Sequence, residues 1–302
     1  MKKFIYLLSA LVAVAACTVE KTDYKTETNT VAPEAKQFKE IFSSENETYI
    51  LRVEALEGQL YQGYNEVRVQ LLDVHNKQAI ENAKVSLLPV HLSETGEETS
   101  CPHSTEWIYE PQNKYYTGYI VFTQIGEKGA WVLVVAIEDI AVQFQKMEPI
   151  EVKPQPNMNL SMTSFIGKDQ EEYIIALVAP MQPKVAENEL VAGIFKRNKS
   201  IGMDTEALHQ AYEPVENYTL LLDPRMPEPS MGNHSSPNNR DLVQRKDGLY
   251  QGVVNYTMTG NWTLNLILQN NQGRILKGTK VPTDFTPGVA GVKSELYLDI
   301  LF

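Results

Sequence analysis

Tyr256-Thr257-Met258-Thr259-Gly260-Asn261-Trp262-Thr263-Leu264-Asn265-Leu266-Ile267-Leu268-Gln269 carries the periodicity that sets the fold class. Trp262, Leu264, Leu266 and Leu268 share one face at a period of two, and Thr263 and Asn265 take the other. That is a half-buried strand with a tryptophan anchoring its core face. Gly260, set between this run and the strand-like residues before it, predicts a hairpin. Outward from here, residues 49–55, 66–73, 84–88, 115–123 and 130–138 read as strands, separated by Asn, Gly, Pro and Ser clusters with turn chemistry. Helical periodicity is almost absent. Short strands at this spacing predict an all-β antiparallel sandwich.

The second half of the chain echoes the first in order. Asn65-Glu66-Val67 returns as Asn188-Glu189-Leu190, and Val85-Ser86-Leu87-Leu88-Pro89 as Leu220-Leu221-Leu222-Asp223-Pro224. Tyr116-Thr117-Gly118 returns as Tyr250-Gln251-Gly252, and Gly129-Ala130-Trp131 as Gly260-Asn261-Trp262. Pro89 to Tyr116 is 27 residues and Pro224 to Tyr250 is 26. Four matches in register predict a tandem duplication. The copies differ before the proline, where Glu66 to Pro89 is 23 residues but Glu189 to Pro224 is 35. The extra residues fall near 200–212, where Thr205-Glu206-Ala207-Leu208-His209 predicts one helical turn. Gly118 and Gly252, each in mid-strand, predict a bulge or a close backbone approach.

The N-terminus has its own logic. Lys2 and Lys3 precede an apolar run from Phe4 to Ala16, too short to span a bilayer core and suited to a secretory signal peptide. Val14-Ala15-Ala16-Cys17 resembles the bacterial lipobox. That resemblance makes residues 1–16 the signal peptide and Cys17 the lipidated N-terminus, with the membrane as partner through its acyl chains. The absence of Asp after Cys17 points to an outer-membrane destination. Residues 17–44 are expected to be a flexible tether, residues 149–170, with Pro149, Pro154 and Pro156, a linker, and residues 45–148 and 171–302 the two domains. The full expectation is two tandem immunoglobulin-like antiparallel β-sandwiches after a signal peptide and tether.

The formal net charge is −11, and removal of Lys2 and Lys3 takes it to about −13. Such acidity disfavours nucleic acid and anionic lipid head groups as partners. Of two cysteines, Cys17 is spent on lipid, so Cys101 stands alone in an oxidising compartment. No nucleophile elbow, zinc-protease helix, Walker loop or dinucleotide fingerprint occurs, and no enzyme is expected.

The candidate chemistry lies in the two long loops, each between the Pro-ending strand and the Tyr-x-Gly strand. The second holds Met226, Met231 and His234; the first holds His91, Cys101 and His103. Two residues beyond each proline, His91 stands where the second copy has Met226. Thioethers with imidazole suit Cu(I), and Met226, Met231 and His234 are the primary ligand set, with His91, Cys101 and His103 a second. The bland alternative is that the methionines plug the sandwich end and His234 is a turn residue. His75 reads as an exposed turn histidine, and His209, in the insertion, has no evident partner.

Met226-Pro227 followed by Met231-Gly232-Asn233-His234, then Gly248-Leu249-Tyr250-Gln251-Gly252 and Gly260-Asn261-Trp262, resembles YtkA-like domains, relatives of FixH-like proteins. The resemblance covers residues 173–302, with 45–148 a more divergent copy. It implies small extracytoplasmic sandwiches associated with copper transport or oxidase assembly. Asn233 stands where a further His is expected, and the first copy lacks the methionines. The rival expectation is an adhesion or envelope-interaction module with a protein partner, marked by exposed aromatics such as Trp107 and Tyr109.

Overall fold

The computed structural model describes residues 37–138, 143–156, 158–199 and 205–302, so the signal peptide and Cys17 lie outside the described residues. The chain is all-β. Residues 37–302 form one compact unit that holds two antiparallel sandwiches in tandem.

In the first sandwich, one sheet runs, in spatial order, Phe38–Glu45, Tyr49–Leu56, Gly63–Asp73, Tyr115–Phe122 and Ile108–Glu110. The facing sheet runs Gln143–Ile150, Gly129–Glu138, Lys84–Ser93 and Glu98–Thr99. Val53, Val67 and Val69 from one layer meet Leu87, Leu133 and Val135 from the other in a single core. Alternation drives this: the Gly63–Asp73 strand is buried at every second residue over most of its length.

The second sandwich is one sheet that curls over on itself. Its order is Met162–Ile166, Glu172–Ala179, Glu187–Arg197, Tyr250–Asn255, Arg240–Gln244, Thr219–Met226, Asn261–Gln269 and Ile275–Lys277. Tyr297–Leu301 pairs with Asn261–Gln269 on the same layer. The strand Arg240–Gln244 pairs with both layers and closes one side. Trp262, Leu264, Leu266 and Leu268, the residues of the opening stretch, are all buried in the core.

The pairing register repeats between the copies. Val67 faces Gly118, and Leu190 faces Gly252. Pro89 faces Leu133, and Pro224 faces Leu264. Asn65 donates through Nδ2 to the Tyr61 and Gly63 carbonyls and accepts from the Tyr61 N–H. Asn188 does the same with Lys184 and Ala186. The Tyr116 hydroxyl donates to the Ile80 carbonyl, and the Tyr250 hydroxyl to that of Val215. The mid-strand glycines mark close approach: a Cβ at Gly118 would sit 2.9 Å from the Trp107 ring, and one at Gly252 would sit 2.4 Å from the Arg240 carbonyl oxygen.

Three expectations differ from what is observed. The connection before each Trp is no hairpin, since Tyr115–Phe122 and Gly129–Glu138 belong to opposite layers, as do Tyr250–Asn255 and Asn261–Gln269. The glycines, with φ of 153° at Gly129 and 128° at Gly260, sit where the chain crosses between layers. Each indole N–H donates into its own crossing, Trp131 to the Gln124 carbonyl and Trp262 to that of Met258. The tether expected over 17–44 overlaps the strand Phe38–Glu45, whose bulge between Glu40 and Phe42 breaks the period of two. Ile41 and Phe42 pack on the core there. The linker expected over 149–170 is largely paired: Val152–Lys153 runs parallel to Leu60–Tyr61, and Met162–Ile166 already belongs to the second sandwich.

The sandwiches pack directly on each other. Val121 and Tyr119 of the first meet Ile174, Ala176 and Phe195 of the second. Leu208, on the helix Thr205–His209 predicted for the insertion, packs on Leu88 and Val90.

Candidate functional site

The strand Thr219–Met226 delivers Met226 to the end of the second core, and the chain then turns back. A short 3₁₀ turn, Pro229–Met231, ends at Gly232 in the left-handed region, with φ 62° and ψ 33°. Asn233 follows with φ 53°. The two-residue strand His234–Ser235 then pairs back onto the strand it left, placing Met226 opposite His234. Met226 is 2% exposed, and Met231 packs partly buried on the same core. The His234 ring meets Trp262 edge-on, with centroids 6.1 Å apart, and its Nε2 lies 2.9 Å from the Thr257 hydroxyl. The Nδ1 of His234 is thus the nitrogen left for another partner. Met226 and Met231 pack on one core, and His234 stands edge-on beside the Trp262 indole of that core.

A second loop holds this one down. The Gly291 N–H donates to the Pro227 carbonyl at 2.7 Å, and Asn233 Nδ2 donates to the Pro282 carbonyl at 3.2 Å. The Phe285 ring lies over Gly232, within 3.3 Å of where a Cβ would be. Asn233, at the position where a further His was expected, is buried and donates to the backbone of the second loop.

The first copy presents different chemistry at the equivalent place. His91 faces Trp131 across the sheet, as the register of Met226 predicts, with ring centroids 5.1 Å apart. It is buried, its Nε2 has no protein partner, and burial lowers its pKa, so it is neutral. Cys101 is fully buried in the core, and burial pushes its thiol pKa well up, so it is a protonated, apolar side chain.

His103 goes elsewhere. Its Nδ1 lies 2.7 Å from the Cys101 carbonyl, and its Nε2 lies 3.4 Å from Nδ1 of His209, on the insertion helix. The partner that sequence reasoning did not find for His209 is therefore His103, across the sandwich interface. Burial is the main cause that lowers the His103 pKa to about 4, against a smaller upward pull from the Cys101 carbonyl. Burial also lowers that of His209, with Glu206 opposing. His91, Cys101 and His103 are not a ligand cluster: among the described residues, no group of three or more His, Cys, Asp or Glu side chains is placed to hold a metal ion. Burial accounts for this, because Cys101 points into the core and His103 turns to the interface.

His75 is exposed at its turn, as expected. Trp107 is 9% exposed and stacked over Gly118, and Tyr109 packs against the first core. The exposed aromatics that would mark an adhesion surface are therefore absent at these two positions.

No curated protein matches the chain. Among solved structures, a chimeric titin Z1Z2-Z1Z2 tandem functionalised with a GRGDS exogenous peptide from fibronectin is similar at 13% identity, over 71% of this chain and 88% of that one. Its TM-score of 0.19 carries no argument. Residues 1–18 match the model of the prokaryotic membrane lipoprotein lipid attachment site, and Cys17 is the one cysteine within them. The chain is a lipoprotein, held in the cell envelope by its lipid.

Proposed function

We propose that this lipoprotein is a non-enzymatic copper carrier of the outer membrane, holding Cu(I) through Met226, Met231 and His234. The observation that carries the reading is the cross-strand pairing of Met226 with His234, with Met231 on the same core end. Two thioethers and one imidazole are a donor set for a soft monovalent ion and a poor one for Ca²⁺. Pro227 and Pro229 stiffen the loop, so little chain entropy opposes gathering the donors. The resemblance of residues 173–302 to YtkA-like domains supports the same reading.

The test is Cu(I) competition against a chromogenic chelator, with mature protein in detergent. Wild type should hold one Cu(I) in the second sandwich, and the Met231→Ala, His234→Ala double variant should release it. Equal, weak competition by both proteins would remove the copper reading.

A further inference from the structure

We infer that His103 and His209 form a second, separate metal site: a two-imidazole clamp for a borderline divalent ion of the Zn²⁺ class, joining the two sandwiches. The inference does not depend on the Met/His loop and shares no residue with it.

The first argument is distance. His103 Nε2 and His209 Nδ1 stand 3.4 Å apart, which is long for an N–H hydrogen bond. Two nitrogens bound at about 2.0–2.1 Å to one tetrahedral ion stand about 3.3–3.4 Å apart. The pair is already at the spacing of a metal chelate.

The second argument is the proton inventory. The Cys101 carbonyl can only accept, so the nitrogen 2.7 Å from it, His103 Nδ1, carries the hydrogen. Nε2 is then the lone pair and accepts from His209 Nδ1, whose hydrogen would move to its own Nε2 on binding a metal. Metal-binding histidines are commonly fixed this way, with the far N–H donated to a carbonyl. Burial keeps both imidazoles neutral, which is the ligating form.

The third argument is access. His209 lines a surface cavity of about 440 Å³ with Glu206, Lys84, Ser86 and Gln210. The cavity supplies water for the remaining coordination positions and an open path to the His209 ring. Lys84 is the cation there, and it is ion-paired with Glu138 at 3.2 Å. Imidazole donors suit Zn²⁺, Cu²⁺ or Ni²⁺ and would not select Mg²⁺ or Ca²⁺.

The probe is Zn²⁺, titrated calorimetrically into the mature protein in detergent, with the imidazole nitrogens followed by NMR. One ion should bind. The His103 and His209 signals should move together, while the exposed His75 stays still. His209→Ala should weaken binding at least tenfold, and the Met231→Ala, His234→Ala variant should bind Zn²⁺ as wild type does. The NMR readout on wild type stands even if His209→Ala fails to fold. The inference is overturned if no Zn²⁺ binds, if only other histidines respond, if His209→Ala binds undiminished, or if binding is lost with the Met231/His234 variant instead.

Discussion

Acidification should weaken this protein in part through one buried imidazole, that of His103. The imidazole is buried at the sandwich interface with a pKa lowered to about 4, whereas an ordinary histidine lies at 6.5. An unfolded chain therefore binds a proton at His103 between pH 6.5 and 4 that the folded chain refuses. Stability is fully present above pH 6.5, falls as pH drops through that window, and levels off below about 4. At 1.36 kcal/mol per unit of pKa, the loss amounts to about 3 kcal/mol. His209 titrates in the same pair, so the measured midpoints belong to both rings. The assay is urea unfolding at pH 7, 6, 5 and 4 with a metal chelator present, on wild type and His103→Asn. Asparagine keeps a donor for the Cys101 carbonyl and has no proton to gain. Carboxylates such as Asp247, held low by Arg245, lose stability with falling pH in both proteins, so the difference isolates His103. Wild type should lose about 3 kcal/mol more than the variant between pH 7 and 4. Parallel stability curves, or an NMR midpoint for the His103 ring near 6.5, would refute the reasoning.

Cys17→Ser should abolish membrane partitioning, read as release of the chain from the detergent phase. Cys101 should react with a thiol reagent only after denaturation, because it has no exposure and its thiol pKa is raised; fast labelling of native protein would contradict the burial. Asn65→Ala and Asn188→Ala each remove three side-chain hydrogen bonds of the same pattern, so each should cost about 2–3 kcal/mol in unfolding free energy. A large cost at one site and none at the other would break the equivalence of the copies. His91→Met should be tolerated or stabilising by about 1 kcal/mol in a thermal melt, since it replaces a buried nitrogen without a partner by the side chain the second copy uses there.

Much of the fold was legible because strands advertise themselves at a period of two. The run from Trp262 to Leu268 could be placed inward from its alternation alone, and the echoed Pro, Tyr-x-Gly and Gly-x-Trp marks gave the register of both copies. Where reasoning stopped short, a local signal was ambiguous. Pro89 looked like a strand end, yet the strand runs on to Ser93. Its outer neighbour, Glu98–Thr99, begins only opposite His91, so a missing N–H at Pro89 leaves no partner unmet on that side. Gly260 before Trp262 suits a hairpin or a crossing between layers equally well, and only the identity of the facing strand decides. Of the candidate site, the loop with Met226, Met231 and His234 was visible because its residues are close in sequence. The pairing of His103 with His209 was not, because the two lie 106 residues apart and meet only when the sandwiches dock.

One divergence between the copies lies where they touch. Among the described residues, the α-helix Thr205–His209 of the second copy has no counterpart in the first and packs on it. Leu208 supplies apolar contact with Leu88 and Val90, and His209 supplies the polar contact with His103. In the first copy, the loop carries Cys101 into the core, and the carbonyl of that residue fixes the ring that His209 meets. The position equivalent to Met226 has meanwhile become a buried, neutral histidine. The first sandwich therefore has a histidine where the second has Met226 and docks the insertion, while the second has Met226, Met231 and His234 on one loop. A protein built this way holds its second sandwich packed against the first. The imidazole pair at the junction is the place where proton or metal concentration can act on that relation.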